Sequence, residues 1–407
     1  MADIERSWFR TPSRRTAMAR VAGLVAGSPV ATAVAQLDPS SLGEHRRALS
    51  LAEMQTAFDF EPVFRGNVTQ PVYDYTAHGD GSEFNLKRNR QAFDWVGIAP
   101  SRVAIPASQV DLSSELLGVK MKFPILIAPT AAMVPLHPDG EIGMFKAATA
   151  ASNTVMILST NTSTPVVQVA PAAPGGVLWA QFYPQQNMAA TQQWMDTYQN
   201  AGCNGITVTV DQQAAHYERS LRDRNLGGRV RTGGVGAGSG TAVLTGAARY
   251  RVSTTRLWYT WEYIDAVRKM VKGPLLLKGI QDPEDARLAI AHGADAIIVS
   301  NHGGRSMDYG PSTLEILPEI AAAVNGRIPV LFDSGIRRGD DIFKALALGA
   351  NGVCLGRTVR WGLGAFGAVG AQRLIEMLQQ ELVQTAAACG CARLSDINGK
   401  MVRSSFV

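Results

Sequence analysis

Eight short apolar runs follow one another between residues 123 and 358, separated mostly by stretches with helical spacing. They are rich in Val, Ile and Leu and show little alternation of apolar and polar residues, which is typical of strands buried on both faces. The runs occupy residues 123–130, 154–160, 178–183, 205–211, 274–279, 296–302, 329–335 and 352–358. Eight successive βα units predict an α/β protein in which parallel strands close into a (β/α)₈ TIM barrel.

A doubly wound open sheet is the alternative architecture, but the regular spacing of the units favours closure. Residues 40–110 precede the first run and predict an N-terminal capping segment of helices and short strands. In a closed parallel barrel the chemistry lies at the carboxyl ends of the strands, so the residues that follow each run are the candidates for function.

The first 36 residues differ in character from the rest of the chain. Arg14 and Arg15 precede a weakly apolar stretch that ends in Ala33-Val34-Ala35. A basic start, an apolar middle and a small-residue end are typical of an export signal, and paired arginines indicate the twin-arginine route. We expect residues 1–36 to direct export to the periplasm, with a cytoplasmic protein as the alternative, and residues 37–407 to form the barrel domain.

The charge balance argues against nucleic acid as a partner. The formal net charge is +5 and is spread along the chain, which is typical of a mildly basic enzyme.

The four cysteines, Cys203, Cys354, Cys389 and Cys391, form no CxxC pair and no Cys/His cluster with zinc spacing. We therefore expect free thiols and no metal site.

A Gly/Ser/Thr-rich stretch separates the fourth and fifth runs, at about residues 227–255. Such a composition cannot pack a core of its own. It predicts either a mobile loop over the barrel mouth or a plain surface excursion.

Polar residues concentrate at the carboxyl ends of the runs. From the third run to the eighth they are Gln181, Tyr183, Thr209, Asp211, Lys278, Ser300, His302, Arg305, Asp333, Arg337 and Arg357. A candidate general base, a cation and several arginines therefore point into one barrel mouth.

Glycine and arginine follow both of the last two runs, as Gly335 and Arg337, and as Gly356 and Arg357. Loops at this position of such barrels commonly bind phosphate through backbone amides, and arginine adds paired hydrogen bonds to phosphate oxygens. These residues predict a phosphate site.

Residues 300–308, Ser-Asn-His-Gly-Gly-Arg-Ser-Met-Asp, resemble the signature of the FMN-dependent 2-hydroxy-acid oxidases and dehydrogenases. That family includes glycolate oxidase, lactate oxidase, lactate monooxygenase and mandelate dehydrogenase. The resemblance extends from about residue 55 to about residue 400, with shorter matches at 72–75, 128–131, 181–183, 209–211, 277–279 and 335–339. It implies FMN as the cofactor and oxidation of a small L-2-hydroxy acid, lactate-, glycolate- or mandelate-like, to the 2-oxo acid.

The resemblance implies that His302 takes a proton from the substrate, with Asp211 beside it to stabilise the imidazolium. Whether that proton leaves carbon or oxygen stays open. The substrate carboxylate would be bound by Tyr75, Arg219 and Arg305, and the substrate hydroxyl would be contacted by Tyr183.

For the cofactor, the resemblance places Lys278 near the flavin edge that gains negative charge on reduction. The Ala131 backbone would flank the flavin, and Asp333 would hold the ribityl hydroxyls. The other expected cofactor contacts are Pro129, Thr130, Ser159, Gln181, Thr209, Ser300, Gly335, Arg337, Gly356 and Arg357.

Several positions differ from the commoner pattern of the family. Asn161 stands where plant glycolate oxidases have a tryptophan by the substrate, Ser334 replaces a glycine, and Thr358 replaces a proline. Because these differences leave the side-chain pocket undefined, the sequence does not identify which 2-hydroxy acid is used.

Two other functions share parts of this pattern: an FMN-dependent isomerase that acts on a diphosphate, and a non-catalytic flavin-binding protein. A base paired to a carboxylate favours the oxidation.

The electron acceptor stays open among oxygen, a quinone and a cytochrome. The resemblance also implies a homotetramer.

Overall fold

The computed structural model describes residues 49–99, 103–211 and 260–406. The export prediction for residues 1–36, the Gly-rich stretch at 227–255 and Arg219 fall outside these ranges. The strands within them are β1 (Val96–Ile98), β2 (Ser114–Leu116), β3 (Val119–Met121), β4 (Ile125–Ile127), β5 (Met156–Leu158), β6 (Leu178–Phe182), β7 (Ile206–Thr209), β8 (Leu275–Ile280), β9 (Ala296–Val299), β10 (Val330–Phe332), β11 (Gly352–Leu355) and β12 (Val402–Ser404).

The α-helices in the same ranges are α1 (Ala57–Asn67), α2 (Gln70–Ala77), α3 (Phe84–Asp94), α4 (Gly140–Ser152), α5 (Val166–Val169), α6 (Met188–Asn200), α7 (Trp261–Met270), α8 (Pro283–Ala291), α9 (Thr313–Val324), α10 (Gly339–Ala347) and α11 (Arg357–Ala388). Phe366 and Gly367 interrupt α11 with non-helical backbone angles. None of the helices in these ranges has both the length and the apolar character needed to cross a membrane.

Within the described ranges, eight parallel strands close into a barrel in the order β4, β5, β6, β7, β8, β9, β10, β11. The ring closes because β11 pairs with β4, with Cys354 opposite Leu126, as well as with β10. Each barrel strand lies within one of the apolar runs, except that β8 ends one residue beyond its run, at Ile280. The predicted TIM barrel is therefore confirmed and the open sheet is wrong.

The barrel strands are buried on both faces. Side chains of alternate residues fill the interior, where Leu126, Trp179, Leu276, Ile298 and Leu331 belong to one cluster. The residues between them pack outward against the surrounding helices in a second, larger cluster. Both faces of each strand need apolar side chains, which is why the runs show so little alternation.

Short elements close the amino-terminal end of the barrel. The β2–β3 hairpin pairs Leu116 with Val119, and Leu116 and Met121 belong to the same cluster as the barrel interior. The hairpin therefore covers the end of the barrel opposite to the carboxyl ends of the strands.

The N-terminal helices pack beside the carboxyl ends of the barrel strands and form the predicted capping segment. Phe64 of α1 lies against Gly364 of α11, where a Cβ on Gly364 would lie 2.2 Å from the phenyl ring. The loop after α2 donates from the Asp80 amide to the Gly304 carbonyl at 2.7 Å. Helix α2 is thereby held next to the loop that follows β9.

The four cysteines are free thiols and all are buried. Cys354 faces the barrel interior, while Cys203, Cys389 and Cys391 lie in the core between strands and helices. Burial raises the pKa of the Cys203 thiol to about 12, which makes it unreactive at neutral pH.

Gly205, just before β7, tests the packing of the barrel interior. A Cβ at this position would lie 2.8 Å from the indole ring of Trp179, which is itself fully enclosed. We expect Gly205→Ala to lower the free energy of unfolding by about 1–3 kcal/mol, because a close-packed interior has no room to relax. Urea denaturation of the purified protein measures this.

Gly66→Ala is the matched control, because a Cβ on this exposed residue of α1 would meet no atom within 4 Å. It should stabilise the protein by about 0.5–1 kcal/mol through its higher helix propensity. Equal effects of the two substitutions would show that the Trp179 contact does not limit the interior.

Candidate active site

One polar side chain follows the interior apolar residue on most of the barrel strands. Because side chains alternate along a strand, the residue two positions after an interior residue faces the same space. Lys278 follows Leu276 in this way, Ser300 follows Ile298, and Asp333 follows Leu331. From β4 to β11 the residues at this level are Thr130, Ser159, Gln181, Thr209, Lys278, Ser300, Asp333 and Gly356, of which the last alone has no polar side chain. All of these were predicted from the sequence as cofactor contacts, and the structure brings them to one end of the barrel.

His302 and Asp211 form the central pair of this end. His302 Nδ1 lies 2.9 Å from Asp211 Oδ1, and the carboxylate is almost fully buried. A carboxylate can only accept, so Nδ1 carries the proton and donates it, which leaves Nε2 with a free lone pair. Gly279 makes room for this pair, because a Cβ there would lie 2.6 Å from Asp211 Cβ.

The electrostatics of the pair favour a neutral imidazole beside an ionised carboxylate. Burial lowers the pKa of His302 below its ordinary value, and the negative charge of Asp211 only partly opposes this. Burial alone would raise the pKa of Asp211, but its electrostatic interaction and hydrogen bond with His302, together with the charge of Lys278, hold it below its usual range. At neutral pH His302 can therefore accept a proton at Nε2, and Asp211 can stabilise the resulting cation.

Lys278 is the buried cation of the site. Its ammonium donates to Ser300 Oγ at 2.9 Å and lies 3.5 Å from Asp333 Oδ2. Burial would lower the pKa of Lys278, but the charges of Asp333 and Asp211 raise it above its ordinary value. The side chain remains positively charged, as its predicted place beside an electron-accepting edge requires.

Arg305 and Tyr75 approach each other from different parts of the chain. The Arg305 guanidinium lies 4.5 Å from the centre of the Tyr75 ring and donates to the Tyr75 carbonyl at 2.6 Å. Tyr75 is delivered by α2, and Arg305 by the loop after β9. The structure therefore unites two of the three predicted carboxylate ligands, while Arg219 lies outside the described residues.

Tyr183 and Gln181 stand at the end of β6. Gln181 Oε1 accepts from the Thr160 amide at 3.1 Å, which fixes the side-chain amide against the loop after β5. Tyr183 is buried one residue beyond the strand. Asn161, in the same loop after β5, donates from its amide to Ser159 Oγ at 3.1 Å.

The predicted phosphate site contains one buried arginine, Arg337, and one half-buried arginine, Arg357. Burial, with the nearby charge of Arg90, lowers the pKa of Arg337 to about 10. Burial, with the charges of Arg337 and Arg305, lowers the pKa of Arg357 to about 9. Neither forms a salt bridge with a carboxylate of the described residues, so an anion bound here would stabilise both. Gly335 has φ of 92°, a value that favours glycine.

Arg360 is a site residue that the sequence reasoning missed. It is buried, donates to Thr76 Oγ1 at 3.1 Å and to the Ala131 carbonyl, and lies 5.6 Å from the Tyr75 ring centre. It therefore joins the loop after β4 to the helix that carries Tyr75. The sequence feature that could have indicated Arg360 is its position three residues after Arg357, in the first turn of α11.

The residues fit a planar polar cofactor with a phosphate group. The hydroxyls of Thr130 and Thr209 are buried and lack a hydrogen-bond partner among the described residues. Buried hydroxyls are rarely left in this state, so a ligand that hydrogen-bonds to them is expected. Together with Arg337 and Arg357, which form no salt bridge within the described residues, they match the polar edge and the phosphate of FMN.

Comparison with known proteins gives an independent result. A family model described as FMN-dependent dehydrogenase matches residues 64–404. Glycolate oxidase 1 of Oryza sativa subsp. indica is 36% identical over 353 residues, which cover 85% of this chain and 95% of that protein. A peroxisomal (S)-2-hydroxyacid oxidase of Arabidopsis thaliana is 36% identical over 349 residues, with the same two coverages of 85% and 95%.

Solved structures resemble the described fold over most of its length. A mandelate oxidase with (S)-2-phenylpropionate has a TM-score of 0.75 at 32% identity, covering 87% of this chain and 99% of that chain. A structure described as a lactate oxidase of Pediococcus acidilactici has a TM-score of 0.77 at 29% identity, covering 87% and 96%.

The interaction between His302 and Asp211 can be measured directly. We expect Asp211→Asn to lower the pKa of His302 further, because the carboxylate charge favours the protonated imidazole. Titration of ¹⁵N-histidine-labelled protein by NMR measures this, with His302→Ala to assign the signal. The other histidine signals are the internal control. An unchanged or higher pKa of His302 would show that Asp211 does not act on it as a charge.

Proposed function

This chain belongs to the FMN-dependent dehydrogenase family, and we propose that the barrel mouth described above is where it binds FMN and its substrate. It is an FMN-dependent enzyme that oxidises a small L-2-hydroxy acid to the 2-oxo acid. The single observation that supports this site is the His302–Asp211 pair, 2.9 Å apart, in the same mouth as the Lys278 ammonium.

His302 is the proposed general base. Its Nε2 accepts a proton from the substrate, and Asp211 keeps the ring in the tautomer that has this lone pair available. As the imidazole becomes charged, the adjacent carboxylate stabilises it without itself being protonated. The source of the proton, the C–H or the O–H of the substrate, stays open.

The substrate carboxylate is bound by Arg305 and the Tyr75 hydroxyl in this proposal, with Arg219 as a further ligand. Guanidinium groups match a carboxylate with paired hydrogen bonds and so fix its orientation as well as its position. Tyr183 contacts the substrate hydroxyl. These contacts leave the third substituent of the 2-hydroxy acid facing the loop after β5, where Asn161 replaces an aromatic residue.

The proposed FMN contacts follow the ring of strand ends. FMN supplies the electron-accepting chemistry when bound. Lys278 offers a cation to the ring edge that becomes negative, Asp333 offers its carboxylate to the ribityl hydroxyls, and Arg337 and Arg357 bind the phosphate. The remaining contacts are Pro129, Thr130, Ala131, Ser159, Gln181, Thr209, Ser300, Gly335 and Gly356.

The relatives favour oxidation over the two alternatives weighed from the sequence. The matched proteins are named as oxidases of glycolate, 2-hydroxy acids, mandelate and lactate, and none of these names describes a diphosphate isomerase. Since these relatives are oxidases, we propose oxygen as the acceptor in this chain, with a quinone or a cytochrome as the other outcomes of the test below.

Replacing His302 should affect the rate of flavin reduction without affecting substrate binding to the same extent. We expect His302→Ala to slow flavin reduction by about 10³-fold, within the range supplied by general bases, while substrate binding changes little. Anaerobic stopped-flow measures flavin bleaching by glycolate, L-lactate and L-mandelate, and admission of air then tests oxygen. A variant that is reduced as fast as wild type would refute the assignment of His302.

Arg305→Leu should have the opposite effect in the same assay: the dissociation constant of the substrate should rise, while the limiting rate of flavin reduction changes less. Arg287→Leu is the matched control, since Arg287 is exposed and paired with Glu284 on α8. If Arg305→Leu binds as tightly as this control, the carboxylate lies elsewhere.

We also propose export through residues 1–36, supported by the Arg14-Arg15 pair and the small-residue end of the apolar stretch. Replacing both arginines by lysine should retain the protein in the cytoplasm, because the twin-arginine route reads this pair. Fractionation of a bacterial host that exports the wild type measures this, and equal export of both proteins would contradict it.

The homotetramer implied by the resemblance stays a prediction, which light scattering can check.

A further inference from the structure

Ser334 occupies a backbone conformation that its side chain disfavours. It follows Asp333 at the end of β10 and has φ of 88°, in the left-handed region. A residue with a Cβ in this region is strained, whereas glycine adopts it without strain. Strain that a glycine would remove indicates that the side chain contributes something in return.

The Ser334 hydroxyl bridges two parts of the site. It accepts from the Gly303 amide at 3.0 Å and donates to Asp333 Oδ1 at 2.8 Å. The residue is only 8% exposed, so both hydrogen bonds are shielded from water. Buried hydrogen bonds to a carboxylate are stronger than bonds between neutral groups.

The amide that Ser334 binds belongs to an unusual loop. His302, Gly303 and Gly304 have φ of 59°, 69° and 79°, so three consecutive residues are left-handed. Side chains bind all three amides: His302 donates to Ser300 Oγ at 3.1 Å, Gly303 to Ser334 Oγ, and Gly304 to Asn301 Oδ1 at 3.0 Å. These bonds hold the shape that places the imidazole of His302 against Asp211.

Ser334 also completes a ring that includes the buried cation. Lys278 donates to Ser300 Oγ, which accepts from the His302 amide, and Lys278 lies 3.5 Å from Asp333. Asp333 is bound by Ser334, which in turn binds the amide next to that of His302. The position of the Lys278 charge and the position of the base are therefore coupled through two adjacent backbone amides.

We propose that Ser334 is a positioning residue for catalysis: its hydroxyl fixes the Gly303 amide so that His302 presents Nε2 to the substrate and Nδ1 to Asp211. The proposal rests on the proposed function of His302 as the base. Ser334 itself touches neither reacting group in this scheme, and it acts through the loop.

Two substitutions separate the strain from the hydrogen bonds. Ser334→Gly removes both the hydroxyl and the strain, whereas Ser334→Ala removes the hydroxyl and keeps the strain. We expect both to lower the limiting rate of flavin reduction by roughly 10- to 100-fold, the effect of a small misplacement, with little change in substrate dissociation constant. Ser334→Gly should melt at a higher temperature than Ser334→Ala.

The matched control is Asn325→Gly. Asn325 is also left-handed, with φ of 50°, but it is an exposed residue at the end of α9, away from the barrel mouth. This substitution should relieve strain and leave the rate of flavin reduction unchanged. Rate losses shared by all three variants would assign the effect to backbone change alone and would overturn the proposal.

The tautomer of His302 gives a readout that needs no turnover. In the wild type, ¹⁵N NMR should show the proton on Nδ1, because Asp211 accepts it. The charged groups that act on His302 are Asp211 and Lys278 from other strands and Arg305 from its own loop, and none of them is altered in the Ser334 variants. Both Ser334→Gly and Ser334→Ala should therefore shift the signal toward a mixture of tautomers through loss of position alone.

The outcomes are distinguishable from failure of the proposed function. If wild type is reduced by no 2-hydroxy acid, the proposed function fails, and the tautomer still tests whether Ser334 positions His302. If wild type is reduced, and both Ser334 variants match it in rate and tautomer, the function stands and the positioning role is wrong.

Discussion

The site depends on the convergence of side chains at the carboxyl end of a closed barrel. Every second residue of each strand faces one shared interior, so an apolar layer and a polar layer follow each other along the axis. Lys278 can be buried there only because the neighbouring strands bring Ser300 and Asp333 to its ammonium. A slip of one residue in β9 or β10 would leave an unpaired buried cation, which is strongly destabilising. Strand register and active-site chemistry are thus one constraint.

Some arginines of the barrel and its capping segment form salt bridges with carboxylates, and others do not. Arg88 and Arg90, on α3, pair with Glu315 and Asp341 and join the capping segment to the barrel helices. Arg337 and Arg360 are buried and Arg357 is half-buried, and none of the three has a carboxylate in salt-bridge contact among the described residues. Backbone carbonyls only partly offset the cost of burying such charges. An anionic cofactor and a carboxylate substrate would complete this offset, so ligand binding should stabilise the fold as well as enable catalysis.

The sequence predicted the barrel because each strand is a local signal: a run of apolar residues needs no partner to be recognised. The His302 and Asp211 pair was predictable from position at strand ends and from resemblance, although 91 residues separate the two. Arg360 was missed because its role depends on Ala131 and Thr76, which lie 229 and 284 residues away. Contacts of this kind have no local pattern, and only the assembled fold shows them.

Two of the left-handed residues other than glycine lie where geometry matters to the proposed reaction. His302 is left-handed although it is not glycine, and so is Ser334, which makes the bond that holds the adjacent amide. Each conformation would be costly alone, and each persists because side chains of neighbouring strands determine it. A relaxed loop would let the imidazole rotate away from Asp211 and lose the tautomer that frees Nε2. The strained conformation of Ser334 is therefore best understood as rigidity added to the proposed base, stabilised by the rest of the barrel.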